Sequence, residues 1–284
     1  GGLGPANRRR ANPLRRAPRL GNKHKAGTGM SAKTGVATAA RKGFAVAMEE
    51  LESAVARRLN AGAGGGAEAL ADRVAVSVLN TGRYEALATD TIGSLAGSAD
   101  STVLLANGKT LTTGFLGTDT VYAGTISGQG ALVKIGAGTW VLNPTAAPGN
   151  GLTGTTTVSD GVLKLLEVST NLDILPDSAA VIFDAESFRY SAGGTLVYQG
   201  APTVGSLETV GTLTPTAGSA RVQVLPGVGG TAALTFGSLG TRGAGATLDL
   251  SVPAGGSVIF STAPASNNGI VGGWATFNGV NWVV

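Results

Sequence analysis

The sequence predicts a mainly β protein, a right-handed parallel β-helix or a closely related β-solenoid, over residues 67–284. Runs of four or five β-branched and apolar residues follow one another there, each closed by Gly, Asn or Asp, as is typical of strands separated by turns. Glycine supplies 46 of the 284 residues and charged residues only 13%, whereas glycine usually makes up about 7% of a protein. Such a chain has many turns and few charged helix faces.

The clearest strand pattern lies in residues 125–165. Ala131–Ile135 is apolar and partly β-branched, a glycine-rich turn follows, and the chain returns as a second strand. The strands predicted within this stretch are 131–135, 139–142, 155–158 and 162–165. Apolar and polar residues alternate along the later strands, so one face of each strand should point inward and the other outward.

The same stretch resembles the autotransporter-associated β-strand repeat of large secreted bacterial β-helix proteins. The residues that fall on the repeat pattern are Gly130, Leu132, Lys134, Gly136, Gly138, Trp140, Leu142, Gly154, Thr156, Val158, Gly161, Leu163 and Leu165. The loop from Pro144 to Gly151 departs from the usual loop of the repeat, so no loop contacts are carried over. The resemblance covers 74–284 and is densest at 91–165 and 204–282.

The resemblance implies a non-enzymatic structural or adhesive passenger segment of a large secreted or surface-displayed bacterial protein, outside the cell or associated with the outer membrane. Stacked strands would form a stiff, protease-resistant stalk. The partners implied are glycans, cell surfaces and neighbouring repeats of the same protein. The chain starts with Gly1 and shows no signal peptide, so we expect a piece of a longer product. No run of 18 apolar residues occurs, so no transmembrane helix is predicted.

Internal similarity also favours stacked turns. Residues 70–78 resemble residues 175–183, and an Arg-Tyr pair follows each segment. The tripeptide Gly-Ser-Leu occurs at 93–95, 205–207 and 237–239. We interpret these echoes as repeated turns, each of which buries its inner face against its neighbours.

Two predictions concern the C-terminal strands. In the segment 247–252 we expect Leu248, Leu250 and Val252 to point inward and Thr247, Asp249 and Ser251 to point outward. Asn278-Gly279 predicts a hairpin turn. Trp274 and Trp282 would cap an apolar turn or stack on a sugar, and the small-residue core favours capping.

The region before the solenoid has a different composition. Residues 1–42 hold eleven Lys and Arg and no Asp or Glu, which predicts a disordered basic tail. The alternatives are a nucleic-acid-binding arm and a non-native segment read in the wrong frame. No aromatic residue lies among these charges to stack on a base, which disfavours nucleic-acid binding. Residues 43–66 are predicted to form a short helix, 43–60, and a glycine-rich linker.

Residues suited to catalysis are sparse. The sequence has no cysteine, and its one histidine, His24, lies in the basic tail, so the β region has no histidine for a Ser-His-Asp triad. Asp184, Glu186 and Arg189 are the one compact group that could serve a polysaccharide-active enzyme, the main alternative function. Asp173 and Asp177 flank a Leu-Pro turn and are interpreted as turn residues. No catalytic, cofactor-binding or metal site is predicted.

Overall fold

The computed structural model of this chain describes Leu70 and residues 72–145, 149–168, 172–185 and 193–284. Every named element in these residues is a β-strand, and none of them forms an α-helix. The predicted basic tail (1–42) and the predicted helix and linker (43–66) lie outside the described residues.

The described strands form three sheets. Sheet 1 contains ten strands: β1 (Ala75–Val78), β4 (Ser94–Gly97), β7 (Thr120–Tyr122), β10 (Thr139–Leu142), β13 (Gly161–Leu166), β15 (Gly194–Gln199), β17 (Ser219–Leu225), β19 (Thr247–Ser251), β21 (Ala275–Phe277) and β22 (Asn281–Trp282). Sheet 2 contains β2 (Arg83–Ala86), β5 (Thr102–Leu105), β8 (Thr125–Gly128) and β11 (Gly151–Leu152). Sheet 3 contains β3 (Asp90–Ile92), β6 (Thr110–Thr113), β9 (Ala131–Lys134), β12 (Thr156–Val158), β14 (Val181–Asp184), β16 (Gly205–Ala217), β18 (Thr231–Leu239) and β20 (Gly256–Phe260).

The chain passes through the sheets in turns. β1, β2 and β3 make one turn, and each strand pairs in parallel with the equivalent strand of the next turn. Equivalent residues of sheet 1 are 19 positions apart at the first turn (Val76 and Leu95) and 33 apart at the longest (Leu163 and Leu196). The predicted parallel β-solenoid is therefore confirmed.

The core consists of columns of inward side chains. In sheet 3, Leu111 pairs with Leu132, Leu132 with Thr156, and Val181 with Leu213, and all five are buried. Burial of each leucine contributes about 1.5–3 kcal/mol. The period of two places these residues inside and their neighbours outside, as the alternating sequence predicts.

The predictions for the C-terminal strands are confirmed. Along β19 and the residue after it, Leu248, Leu250 and Val252 are buried, whereas Thr247, Asp249 and Ser251 face outward. β21 and β22 form an antiparallel hairpin. Both Asn278 and Gly279 have positive φ in its turn, at 53° and 69°. The Asn278 side chain binds the backbone of Val252, which fastens this hairpin to the preceding turn.

The sequence echoes, in contrast, are not structural repeats. Residues 75–78 form β1 in sheet 1, whereas the echoed residues 180–183 lie in sheet 3 as part of β14 and the residue before it. The Gly-Ser-Leu tripeptides likewise fall at the start of β4, the start of β16 and the end of β18. Similar residue patterns recur because each strand needs alternation and each turn needs glycine, whichever sheet the strand joins.

The described strands of sheet 2 end at β11. In the following turn the described chain contributes an isolated bridge between Gly149 and Asp173 instead of a strand. One turn later, the 13-residue strand β16 places its first half against this segment. This interruption positions Asn150 and Glu208, whose side chains bind the backbone of this segment.

Candidate functional site

A small polar cavity lies where sheet 2 is interrupted. Its volume is about 220 Å³, and we call it the acidic pocket; it is lined by Leu172, Asp173, Asp177, Leu207, Glu208 and Thr209. Glu208 points into the solenoid from β16 and is only 2% exposed. Its carboxyl oxygens accept hydrogen bonds from the backbone N–H groups of Ile174, at 3.2 Å, and Leu175, at 2.7 Å. A single side chain thus satisfies two buried backbone donors that no strand pairs.

Burial raises the pKa of the Glu208 carboxyl well above its ordinary value, and its two backbone hydrogen bonds oppose this only in part. The charges of Asp173 and Glu167 raise that pKa further. Partial burial, with the neighbouring Asp177, raises the pKa of Asp173 to about 6. Burial likewise raises the pKa of Glu167, whose carboxyl accepts from the N–H of Leu172. Glu208 and Asp173 in the pocket, and Glu167 near it, therefore hold their protons more readily than freely exposed carboxyl groups do.

Asn150 extends this polar arrangement toward the N-terminal side. It is buried, its Oδ1 accepts from the N–H of Ile126 at 2.7 Å, and its Nδ2 donates to the carbonyl of Ile174 at 2.6 Å. Asn150 and Glu208 therefore bracket residues 174–175 from the two adjacent turns. Their side chains replace the ladder bonds that a strand would make here, because buried backbone groups are costly without partners.

A second buried charge lies at the end of β9. Lys134 is 1% exposed, and its Nζ donates to the carbonyls of Ile135 (2.8 Å), Gly136 (2.7 Å) and Asp160 (3.2 Å). Burial lowers the pKa of Lys134 to about 8, against the opposing charges of Asp160 and Asp119. Lys134, which falls on the repeat pattern, therefore links Gly136 in its own turn of the solenoid to Asp160 in the next turn.

The last turn of the solenoid contains an apolar cavity of about 590 Å³, lined by Leu250, Val258, Phe260, Ala263, Pro264, Ser266, Val271, Phe277, Asn281, Trp282, Val283 and Val284. Trp282 forms part of this wall and is 52% exposed, as expected of a side chain that covers the end of the core. Trp274 is partly buried against the core, with the Arg242 guanidinium 5.4 Å from its ring centroid. Both positions suit the predicted capping role.

The residues singled out in the sequence are placed as follows. Asp184 ends β14 and is half-buried. Glu186, Arg189 and His24 lie outside the described residues, so the structure does not place them beside Asp184. Asp173 and Asp177, interpreted as turn residues, are exposed and also line the acidic pocket.

Sequence reasoning missed Glu208, Glu167 and Asn150. The signal for Glu208 is its spacing of two from Ser206 and Val210, which both face the core. The adjacent Leu207 conceals that signal, because a leucine beside a glutamate is normally assigned to the inside, yet Leu207 is 59% exposed.

Within the residues that the structure describes, no group of three or more His, Cys, Asp or Glu side chains could hold a metal ion. The described strands and loops also contain no helix long and apolar enough to cross a membrane. Comparison of the chain with protein-family models, curated proteins and solved structures finds no match.

Proposed function

We propose that this chain is a non-enzymatic structural and adhesive segment of a large secreted or surface-displayed bacterial repeat protein, in which the solenoid acts as a stiff stalk. The observation that carries this proposal is the unbroken parallel pairing of sheet 1 from β1 to β21. Each turn depends on its neighbours for its ladder bonds and its core, so the stack resists local opening. The resemblance of residues 125–165 to the passenger repeat supports the proposed location and role.

The side chains that cross between turns add to this stiffness. Lys134 joins two turns through carbonyls, and Asn150 joins three. Bonds of this kind hold a turn in place even where the strand is short or absent. A stalk that displays its loops to glycans, cell surfaces or neighbouring repeats needs this resistance to unfolding and to proteases.

Limited trypsin digestion of the folded full chain tests the stalk role. Arg83, Lys134 and Arg221 lie within strands, whereas Lys109 and Arg242 lie in loops between strands. We expect strand sites to survive under conditions that cleave loop sites and the basic tail, with mass spectrometry identifying the cuts. Cleavage at strand sites as fast as in a urea-unfolded sample would contradict a protease-resistant stalk.

The surface location and the adhesive role need their own experiment. Antibodies against residues 193–284 should label intact source cells as strongly as permeabilised ones, and protease treatment of intact cells should remove the label. Binding of the purified chain to glycan arrays and to cells would then identify the contacts. Labelling that requires permeabilisation would overturn the proposed location.

Polysaccharide cleavage is the second candidate, because the acidic pocket places Asp173 beside a buried Glu208, and the pKa of each carboxyl is raised. A glycosidase uses one protonated and one ionised carboxyl group. Incubation with neutral and acidic polysaccharides, followed by sizing of the products, tests it with Asp173→Asn and Asp184→Ala as variants. Chain cleavage lost in either variant would replace the non-enzymatic proposal. The basic tail, which lies outside the described residues, is the part of the chain that nucleic-acid binding would use.

A further inference from the structure

The outward side of sheet 3 presents two parallel columns of residues, which together we call the threonine face. The first column is Thr89, Thr110, Ala131, Thr155, Ala180, Thr212 and Ser238; the second is Thr91, Thr112, Val133, Thr157, Ile182 and Thr214. Eight of these thirteen residues are threonine, and four turns carry the pattern Thr-x-Thr with an inward residue between. Thr89 and Thr155 are exposed, and the other eleven residues are half-buried.

The strand register keeps both columns straight. The second column runs through direct pairings from Thr91 to Thr112 and onward to Thr214. In the first column, the N–H of Thr110 donates to the hydroxyl of Thr89, and the hydroxyls of Thr212 and Ser238 lie 2.9 Å apart. The face therefore repeats about every 4.8 Å along the stack and about every 6.6 Å between columns, over a length of about 24 Å.

Neither column contains a charged residue, in contrast to the other two sheets. The outward side of sheet 2 carries the Arg83–Glu85 ion pair, and that of sheet 1 carries Lys164 and the Arg221–Asp249 pair. Asp184 is two residues after Ile182, at the next outward position of β14, and borders the threonine face. An uncharged face is complementary to an uncharged partner and unsuited to nucleic acid, which is bound chiefly through phosphate charges.

The chemistry of threonine narrows the choice of partner further. Each side chain combines a methyl group with a hydroxyl that donates one hydrogen bond and accepts two, and its branched Cβ restricts χ1. The two spacings of this face are close to those at which water oxygens repeat on faces of hexagonal ice. Two of its turns, one with Ala131 and Val133 and one with Ala180 and Ile182, carry no threonine. Sugar rings are commonly bound by aromatic side chains, and the residues that contribute most to protein interfaces are enriched in Trp, Tyr and Arg; the columns contain no aromatic residue and no arginine.

We propose that the threonine face binds ice. The hydroxyls would take places in the hydrogen-bonded lattice while the methyl groups fill the gaps between water molecules, and the solenoid would hold both at fixed spacing. This inference goes beyond the stalk role, and its test does not depend on that role.

The test uses the full chain with two variants of the same turn. Thr157→Arg places a long cation in the middle of the face, whereas Thr139→Arg makes the same change at a half-buried outward position of sheet 1. Far-ultraviolet circular dichroism and urea unfolding establish that both variants are folded. Two measurements follow: the uptake of protein into slowly grown ice, and the thermal hysteresis of the solution.

We expect the native chain and Thr139→Arg to enter the ice and to show hysteresis, and Thr157→Arg to lose both. Exclusion of the native chain from ice, or an equal loss in the two variants, overturns the proposal. Binding to crystalline cellulose that Thr157→Arg abolishes, in a chain that ice excludes, overturns it as well and reassigns the face to a neutral polysaccharide.

Discussion

Replacement of Glu208 measures how much of the solenoid's stability depends on a side chain that stands in for a strand. In Glu208→Leu, the N–H groups of Ile174 and Leu175 lose their acceptors while they remain buried. Each unsatisfied buried donor costs about 1–3 kcal/mol, so the two together cost about 2–6 kcal/mol. The leucine recovers part of this through burial of its apolar surface, about 1.5–3 kcal/mol at most. The difference between the middles of these two ranges gives an expected net loss of about 2 kcal/mol in the free energy of unfolding.

Glu208→Gln separates loss of the acceptors from loss of the ionisable group. Glutamine keeps one acceptor and resembles the protonated carboxyl, which the raised pKa of Glu208 favours in the folded chain. Because the folded pKa lies above the unfolded value of 4.5, this group stabilises the fold fully below pH 4.5, and that contribution is lost as the pH rises through the folded pKa. The Gln variant should lack this component of the pH dependence.

The two carboxyl groups whose charges act on Glu208 change stability with the same sign, because burial raises the pKa values of both Glu167 and Asp173. Stability of the native chain should therefore decline from pH 4.5 toward neutral pH, and Glu208→Gln should decline less steeply. Urea unfolding followed by circular dichroism at a series of pH values measures both slopes.

Glu85→Leu is the matched control for Glu208→Leu. Glu85 is also a strand residue, but it faces outward and forms an ion pair with Arg83. An exposed pair of this type contributes about 0–1 kcal/mol, so this variant should unfold close to the native chain. If Glu208→Leu were as stable as Glu85→Leu, or if Glu208→Gln kept the native pH slope, the ladder-replacing role of Glu208 would be refuted.

Three further predictions use the same urea-unfolding assay. Lys134→Met leaves three carbonyls without their donor and should lose about 1–3 kcal/mol of stability at neutral pH. Burial lowers the pKa of Lys134 from 10.5 to about 8, so the stability of the native chain should rise from pH 8 to 10.5. The variant should show no such rise. Asn150→Leu removes the partners of a buried N–H and a buried carbonyl and should lose about 2–4 kcal/mol; full native stability would show that these bonds contribute nothing. Gly114→Ala should be more damaging than Gly108→Ala, since both glycines have positive φ but only at Gly114 would a Cβ collide with a neighbouring carbonyl; equal midpoints would contradict that steric explanation.

The strands and their inward faces could be predicted because alternation has a short, strict period. Predicted strands 131–135 and 139–142 became β9 and β10 within one residue, and the inward positions of β19 were all correct. A strand buried on one face must alternate, whatever strand lies beside it. The local sequence therefore carries this information completely.

The pairing partners could not be predicted in the same way. Turns of this solenoid range from 19 to 33 residues in sheet 1, because loops lengthen without disturbing the ladder. No fixed period therefore marks equivalent residues, and the echo between 70–78 and 175–183 joined strands of different sheets. The threonine face could not be predicted for the same reason, because its columns can be identified only when the strand register is known.

The buried polar groups show what variable turn length requires of the sequence. A turn that lacks a strand in sheet 2 leaves backbone groups without ladder partners. Asn150, in the preceding turn, supplies a donor to this segment, and Glu208, in the following turn, supplies two acceptors. Such a side chain must occupy an inward position, where its charge or amide is costly unless every bond is made. In this solenoid the inward residues Asn150 and Glu208 therefore mark the place where the ladder of sheet 2 is interrupted. The pKa of Glu208 is raised because its inward position buries it, so the raised pKa does not by itself indicate catalysis.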